Sequence, residues 1–191
     1  MKTMALTNTE TRWGAVARAF HWGMAALIVA MLLGGTIMVA WPNAELATKF
    51  QLYQWHKSFG LVLFALLLLR LVWRLGQPTP ALPATSSAFT RRAAALSHGL
   101  LYLLMAALPV TGYLMSSANT LGVPTVLFGI WEVPHVLAAD ARLEAIFKQA
   151  HDLLGTALLI VVAVHVLAAV KHAVINRDGI WARMVYGASR V

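Results

Sequence analysis

A helix needs about 20 mostly apolar residues to cross the hydrocarbon of a bilayer, and four stretches of this chain reach that length. They run approximately over residues 19–41, 53–73, 93–117 and 148–175. Breakers separate them: Trp41-Pro42-Asn43, then the run from Gly76 to Arg92, then the segment from Ala118 to Phe147 with Pro124, Pro134 and most of the acidic residues. Pro109 falls inside the third stretch, where it predicts a kink whose freed carbonyl neighbouring helices can satisfy. The first stretch is too long for the apolar region of a signal peptide and no Ala-x-Ala-like site follows it, so it reads as a retained span. Composition agrees, with 60% hydrophobic and 12% charged residues against about 45–50% and about 25% in a soluble domain. The sequence predicts an all-α integral membrane four-helix bundle, a single membrane domain over residues 1–191.

Positive charge sets the orientation of such a bundle. With the N-terminus cytoplasmic, that side holds eleven basic residues: Lys2, Arg12, Arg18, Arg70, Arg74, Arg91, Arg92, Lys171, Arg177, Arg183 and Arg190. The other side holds four: Lys49, Lys57, Arg142 and Lys148. With the acids counted, the inside carries nine net positive charges and the outside one net negative, together the formal +8. Both termini are expected in the cytoplasm. The basic charge follows from topology and needs no nucleic acid to explain it.

Histidine is the surplus to account for: seven, as many as Asp and Glu together. Ionisable groups inside spans are costly and mark function. His21 lies near the inner start of the first span, and His56 and His151 near the outer starts of the second and fourth. His165 follows His151 by 14 residues, a helical rise of about 21 Å and close to four whole turns, so the two share one face at two depths. The histidines thus form an outer layer of His56 and His151 and an inner layer of His21 and His165. Each layer draws one ring from each of two helices, the arrangement that clamps a flat macrocycle through both axial positions. Bis-histidine ligation of a b-type haem in the bundle core fits this pattern. The absence of cysteine excludes thiolate metal sites, iron–sulfur clusters and covalently attached c-type haem.

His56 and His151 are each followed four residues later by a glycine, Gly60 and Gly155. One turn away on the same face, a glycine lets a ring approach the backbone, or lets two helices pack closely. Arg70 follows His56 by the same 14-residue offset, with Arg74 one turn beyond. Their guanidinium forks suit haem propionates, or they snorkel to the positive inner surface. His172, two turns after His165, is the rival inner ligand or a proton donor near a quinone. His98 suits the same proton role, and His135 reads as a solvated loop residue. The H-x-x-x-H spacing of zinc sites is missing.

In order along the chain stand Arg18-Ala-Phe-His21-Trp22, Gln54-Trp-His56-Lys57-Ser-Phe-Gly60, Arg70-Leu-Val-Trp-Arg74 with Gln77-Pro-Thr-Pro80, His98-Gly-Leu-Leu-Tyr102, Ala107-Leu-Pro109-Val-Thr-Gly112, and His151-Asp-Leu-Leu-Gly155 with His165 and His172. Through these pieces the chain resembles the bacterial cytochrome b-561 family, and within it the superoxide oxidase branch. The resemblance implies a four-helix protein of the bacterial inner membrane with two non-covalent b haems. By carry-over, His21 and His165 ligate the inner haem, and His56 and His151 the outer one. It further implies oxidation of periplasmic superoxide with ubiquinone as electron acceptor. The alternative is an electron-transfer subunit between quinol and a periplasmic redox protein or dehydrogenase, docking through the Ala118 to Phe147 segment. No specific catalytic residue is identified at this level; His98, His172, Arg70 and Arg74 are the polar groups expected near quinone protonation. Superoxide is an anion, so Lys49, Lys57, Arg142 and Lys148 are expected to form a local positive funnel.

Overall fold

The computed structural model describes residues 5–83 and 86–187. Lys2 and Arg190, counted above in the charge asymmetry, lie outside the described residues. The elements are helical apart from one small hairpin: α1 (Ala15–Ala40), α2 (Leu46–Leu75), α3 (Ala88–Ser117), β1 (Thr125–Leu127), β2 (Trp131–Val133), α4 (Ala141–Lys171) and α5 (Ile180–Tyr186). Among the described residues, four helices are long and apolar enough to cross a membrane. Large apolar side chains lie exposed along them, including Leu33, Leu69, Val72, Leu103 and Leu167. In water this surface would far exceed what a soluble monomer tolerates; in a bilayer it faces acyl chains.

Each of α2, α3 and α4 begins before the apolar stretch that announces it, and capping explains two of the starts. The Asp140 carboxylate accepts from the N–H groups of Arg142 at 2.8 Å and Leu143 at 3.0 Å. It thereby caps α4 at residue 141, ahead of the expected 148. Ser87 accepts from the N–H of Thr90 at 3.1 Å and starts α3 at residue 88 instead of 93. At the other end of α1, Lys49 Nζ donates to the carbonyls of Val39 (3.3 Å) and Trp41 (2.9 Å), where a cation meets the negative helix terminus. α3 runs uninterrupted through Pro109. Thr111 Oγ1 donates to the carbonyls of Ala107 at 2.9 Å and Leu108 at 3.0 Å beside that proline.

The chain forms two compact units, each drawing on part of every long helix. The first takes Met1–Ala25, Leu66–Tyr102 and Ile160–Val191; the second takes Ala26–Ala65 and Leu103–Leu159. In the first, the segment before α1 is pinned to the chain after α2: Asn8 receives its bond from Gly14 N at 2.9 Å and donates to Gln77 Oε1 and Pro78 O, both at 3.1 Å. α4 ends in a widened turn, His172–Asn176, after which α5 returns against α1. Arg18 Nη1 donates to Val185 O at 2.8 Å and Trp22 Nε1 to Met184 O at 3.1 Å, with Trp22 edge-on to Trp181.

In the second unit, β1 and β2 pair antiparallel with Val126 opposite Glu132. Three residues are too few for a stable hairpin in isolation, and α2 supplies what is missing. Gln54, 6% exposed, acts as a surrogate strand edge, donating to Pro124 O at 2.8 Å and accepting from Val126 N at 3.1 Å. Ser58 is fully buried; it donates to Gln54 O at 2.8 Å and accepts from Phe128 N at 3.0 Å.

Candidate functional site

In each unit the two histidines expected to act together stand close, each pair drawn from two different helices. In the first unit, His21 of α1 and His165 of α4 have ring centroids 6.2 Å apart and planes at 54°. In the second, His56 of α2 and His151 of α4 stand 6.3 Å apart at 79°. Among the described residues, no hydrogen bond joins the rings of either pair. Two imidazoles sharing one metal ion through bonds of about 2 Å, with roughly 1 Å from each nitrogen to its ring centre, require a centroid separation of about 6 Å. Both pairs meet that requirement.

His151 is oriented from α3. Its Nδ1 lies 3.1 Å from the Leu108 carbonyl and 3.3 Å from Thr111 Oγ1. A carbonyl only accepts, so Nδ1 carries the proton and Nε2 presents its lone pair, the state of an axial ligand whose outer nitrogen is held by a backbone acceptor. The Nδ1 of His56 is buried without a partner.

The glycines that stand against the imidazole rings themselves are Gly112 and Gly35. A Cβ on Gly112 would stand 3.0 Å from His151 Cε1 and 3.3 Å from Nδ1. One on Gly35 would touch His56 Cε1 at 3.4 Å. Gly60 instead faces the Met31 methyl at 3.6 Å, and Gly155 has no atom within 4 Å of where its Cβ would stand. The signal for Gly112 was present in the Pro109-Val-Thr-Gly run, but the partner across the helix interface was not.

The first unit is more crowded. His98 of α3 stands 5.5 Å from His165, closer than His21 does. Arg70 lies within electrostatic reach of His21, His98 and His165, and Arg74 of His98. Both guanidinium groups sit over the Tyr102 ring, at 5.6 and 5.5 Å, and the Tyr102 hydroxyl is buried without a hydrogen bond. His172 is engaged elsewhere, with Nδ1 at 2.5 Å from Asp178 and 3.1 Å from the Asn176 amide.

Of the four basic residues assigned to the outer side, Lys148 is paired with Asp152 at 2.8 Å and Lys49 is committed to the α1 terminus. Arg142 is exposed at the start of α4. Lys57, next to His56, is half-buried with its Nζ 3.4 Å from Thr125 Oγ1 and has no ion pair among the described residues. The described residues contain no cluster of three or more His, Cys, Asp or Glu able to hold a bare metal ion; a haem iron, already held by its macrocycle, asks the protein only for axial ligands.

The family described as "Prokaryotic cytochrome b561" matches residues 12–187. The chain belongs to the prokaryotic cytochrome b561 family. It is 36% identical over 183 residues to "Cytochrome b561 homolog 2" of Escherichia coli K12, covering 95% of each chain. It is 27% identical over 180 residues to "Probable superoxide oxidase CybB" of Yersinia pestis, covering 91% of this chain and 96% of that one. "Cytochrome b561 homolog 1" of Escherichia coli K12 is 24% identical over 165 residues, covering 86% and 92%. Membership makes this cytochrome b561 a multi-pass membrane protein of electron transfer with b-type haem. The fold agrees with a membrane helical bundle.

Proposed function

We propose that the protein binds two non-covalent haem b groups, one in each unit, through His21 and His165 and through His56 and His151. With them it oxidises superoxide at the periplasmic face of the inner membrane and passes the electrons to ubiquinone, both termini being cytoplasmic. The observation that carries the haem reading is the pair of ring separations, 6.2 and 6.3 Å, each between two long apolar helices. The superoxide reading is supported by the relative named "Probable superoxide oxidase".

When bound, haem b supplies a one-electron couple. The overall reaction takes one electron from each of two superoxide anions, leaving two dioxygen molecules, and delivers two electrons and two protons to ubiquinone to give ubiquinol. The chain's own residues do the positioning. His21 with His165 and His56 with His151 would each hold a haem through two imidazoles, and the donor would then exchange its electron without binding metal. The Leu108 carbonyl holds His151 in the ligating tautomer. Lys57, without an ion pair among the described residues, presents positive charge beside His56 to an anionic donor. His98, within the inner histidine group, is the polar residue best placed to serve quinone protonation.

The test is a pulse of superoxide delivered to the oxidised protein with ubiquinone present. The reading expects haem reduction that superoxide dismutase abolishes; equal reduction with and without the dismutase would refute it. A second reading, a relay between quinol and a periplasmic redox protein or dehydrogenase, is favoured by the hairpin turn, where Ile130 and Trp131 are 88% and 69% exposed. Under it, haem reduction follows addition of quinol or the partner and is indifferent to superoxide.

A further inference from the structure

Arg70 and Arg74 lie one turn apart on α2 and converge on a single ring of α3, their guanidinium carbons 5.6 and 5.5 Å from the centroid of Tyr102. Both arginines are half-buried within a membrane helix. Neither has a carboxylate partner among the described residues. The first unit contains two acidic residues, Glu10 and Asp178. Asp178 is bound to His172, and Glu10 is exposed. The polar contact made by Arg70 is a weak one, Nη1 to Met24 Sδ at 3.9 Å.

The aromatic face attracts these cations but cannot neutralise them, because it offers a quadrupole and no net charge. The Tyr102 hydroxyl is itself an unsatisfied donor: it is buried and has no hydrogen bond. A buried donor left unpaired is costly, and snorkelling arginines need no such group beside them. Two cations and one hydroxyl converging without an acceptor describe a site for an oxyanion. Tyr102 lies one turn after His98 on α3, and the His98 ring stands 5.5 Å from that of His165, so the anion belongs next to the histidine pair of this unit.

We infer that Arg70, Arg74 and Tyr102 form a carboxylate clamp for the propionates of the haem held by His21 and His165. The inference rests on the haem reading of this unit. Each guanidinium offers a planar fork that matches a carboxylate through two parallel bonds, and the tyrosine hydroxyl donates one more. An anionic phospholipid headgroup shares this chemistry, and the experiment separates the two.

The purified holoprotein and the variants Arg74→Gln, Arg74→Lys and Tyr102→Phe are compared for haem per chain, the midpoint potential of each haem, and co-purifying phospholipid phosphorus. The clamp predicts that Arg74→Gln lowers one of the two midpoint potentials, because a positive charge stabilises the electron-richer state. It also predicts loss of that haem on gel filtration, with affinity reduced roughly tenfold. Tyr102→Phe, which removes only the hydroxyl, weakens retention of the same haem, and Arg74→Lys restores the potential while retaining the haem less well. Unchanged haem retention and potentials in both Arg74→Gln and Tyr102→Phe overturn the clamp. So does a loss of bound phospholipid alone, which assigns the site to a lipid headgroup. A wild-type protein carrying fewer than two haems overturns the reading beneath the clamp, and does so before any variant is made.

Discussion

Gly112 and His151 show how a residue without a side chain places one that has chemistry. A methyl group at Gly112 would approach His151 Cε1 to 3.0 Å, and the ring cannot yield without giving up the 3.1 Å bond from its Nδ1 to Leu108. Gly112→Ala is therefore expected to cost about 1–3 kcal/mol by overpacking and to lower haem content in the second unit, read from the visible spectrum and the melting temperature. Gly35→Ala, at an ordinary 3.4 Å contact with His56, should leave both nearly unchanged. Spacing along one helix pointed to Gly60 and Gly155, because a sequence displays neighbours along a helix and hides those across an interface. For the same reason the approach of His98 to His165 was not legible: it depends on the rotation of α3 about its axis. Lys57 carries a separate prediction. Lys57→Gln should slow reduction by superoxide several-fold at low salt, and the difference should shrink as ionic strength rises. An equal rate at low salt would remove Lys57 from donor capture.

At the level of elements, the apolar runs conveyed the four long helices because bilayer thickness imposes a length that composition alone reveals. The extra turns at the starts of α3 and α4 depended on side-chain caps at Ser87 and Asp140, which lie outside those runs. The hairpin at residues 125–133 falls within the Ala118 to Phe147 segment, where the sequence offers a loop and a docking surface but no strands. Its strands are three residues each, too short for a period-two pattern, and its stability comes from Gln54 and Ser58, about 70 residues earlier in the chain. Ser58→Ala leaves the Phe128 N–H unpaired, and Gln54→Ala does the same to the Val126 N–H and the Pro124 carbonyl. Each should cost about 1–3 kcal/mol and raise amide exchange at residues 125–133 while α5 keeps its protection. Unaltered exchange in the hairpin would show that the strands stand without α2.

For the whole molecule, the basic charge, the apolar surface and the histidine surplus have one explanation in a membrane cytochrome. The charge asymmetry predicts a definite orientation, and the absence of cysteine makes it simple to test. Leu121→Cys, at an 82% exposed position after α3, should react with an impermeant thiol reagent added to the periplasm. Arg177→Cys, after α4, should react only once the inner membrane is opened. The reverse pattern would invert the assigned topology. Haem content bears most directly on the central claim, that His56 with His151 and His21 with His165 each hold one haem. The wild-type protein should show b-type bands equivalent to two haems per chain, and His56→Ala should show one, with the other haem's bands and potential intact. A protein without b-type bands, or a His56→Ala variant that keeps the full haem complement, would contradict it.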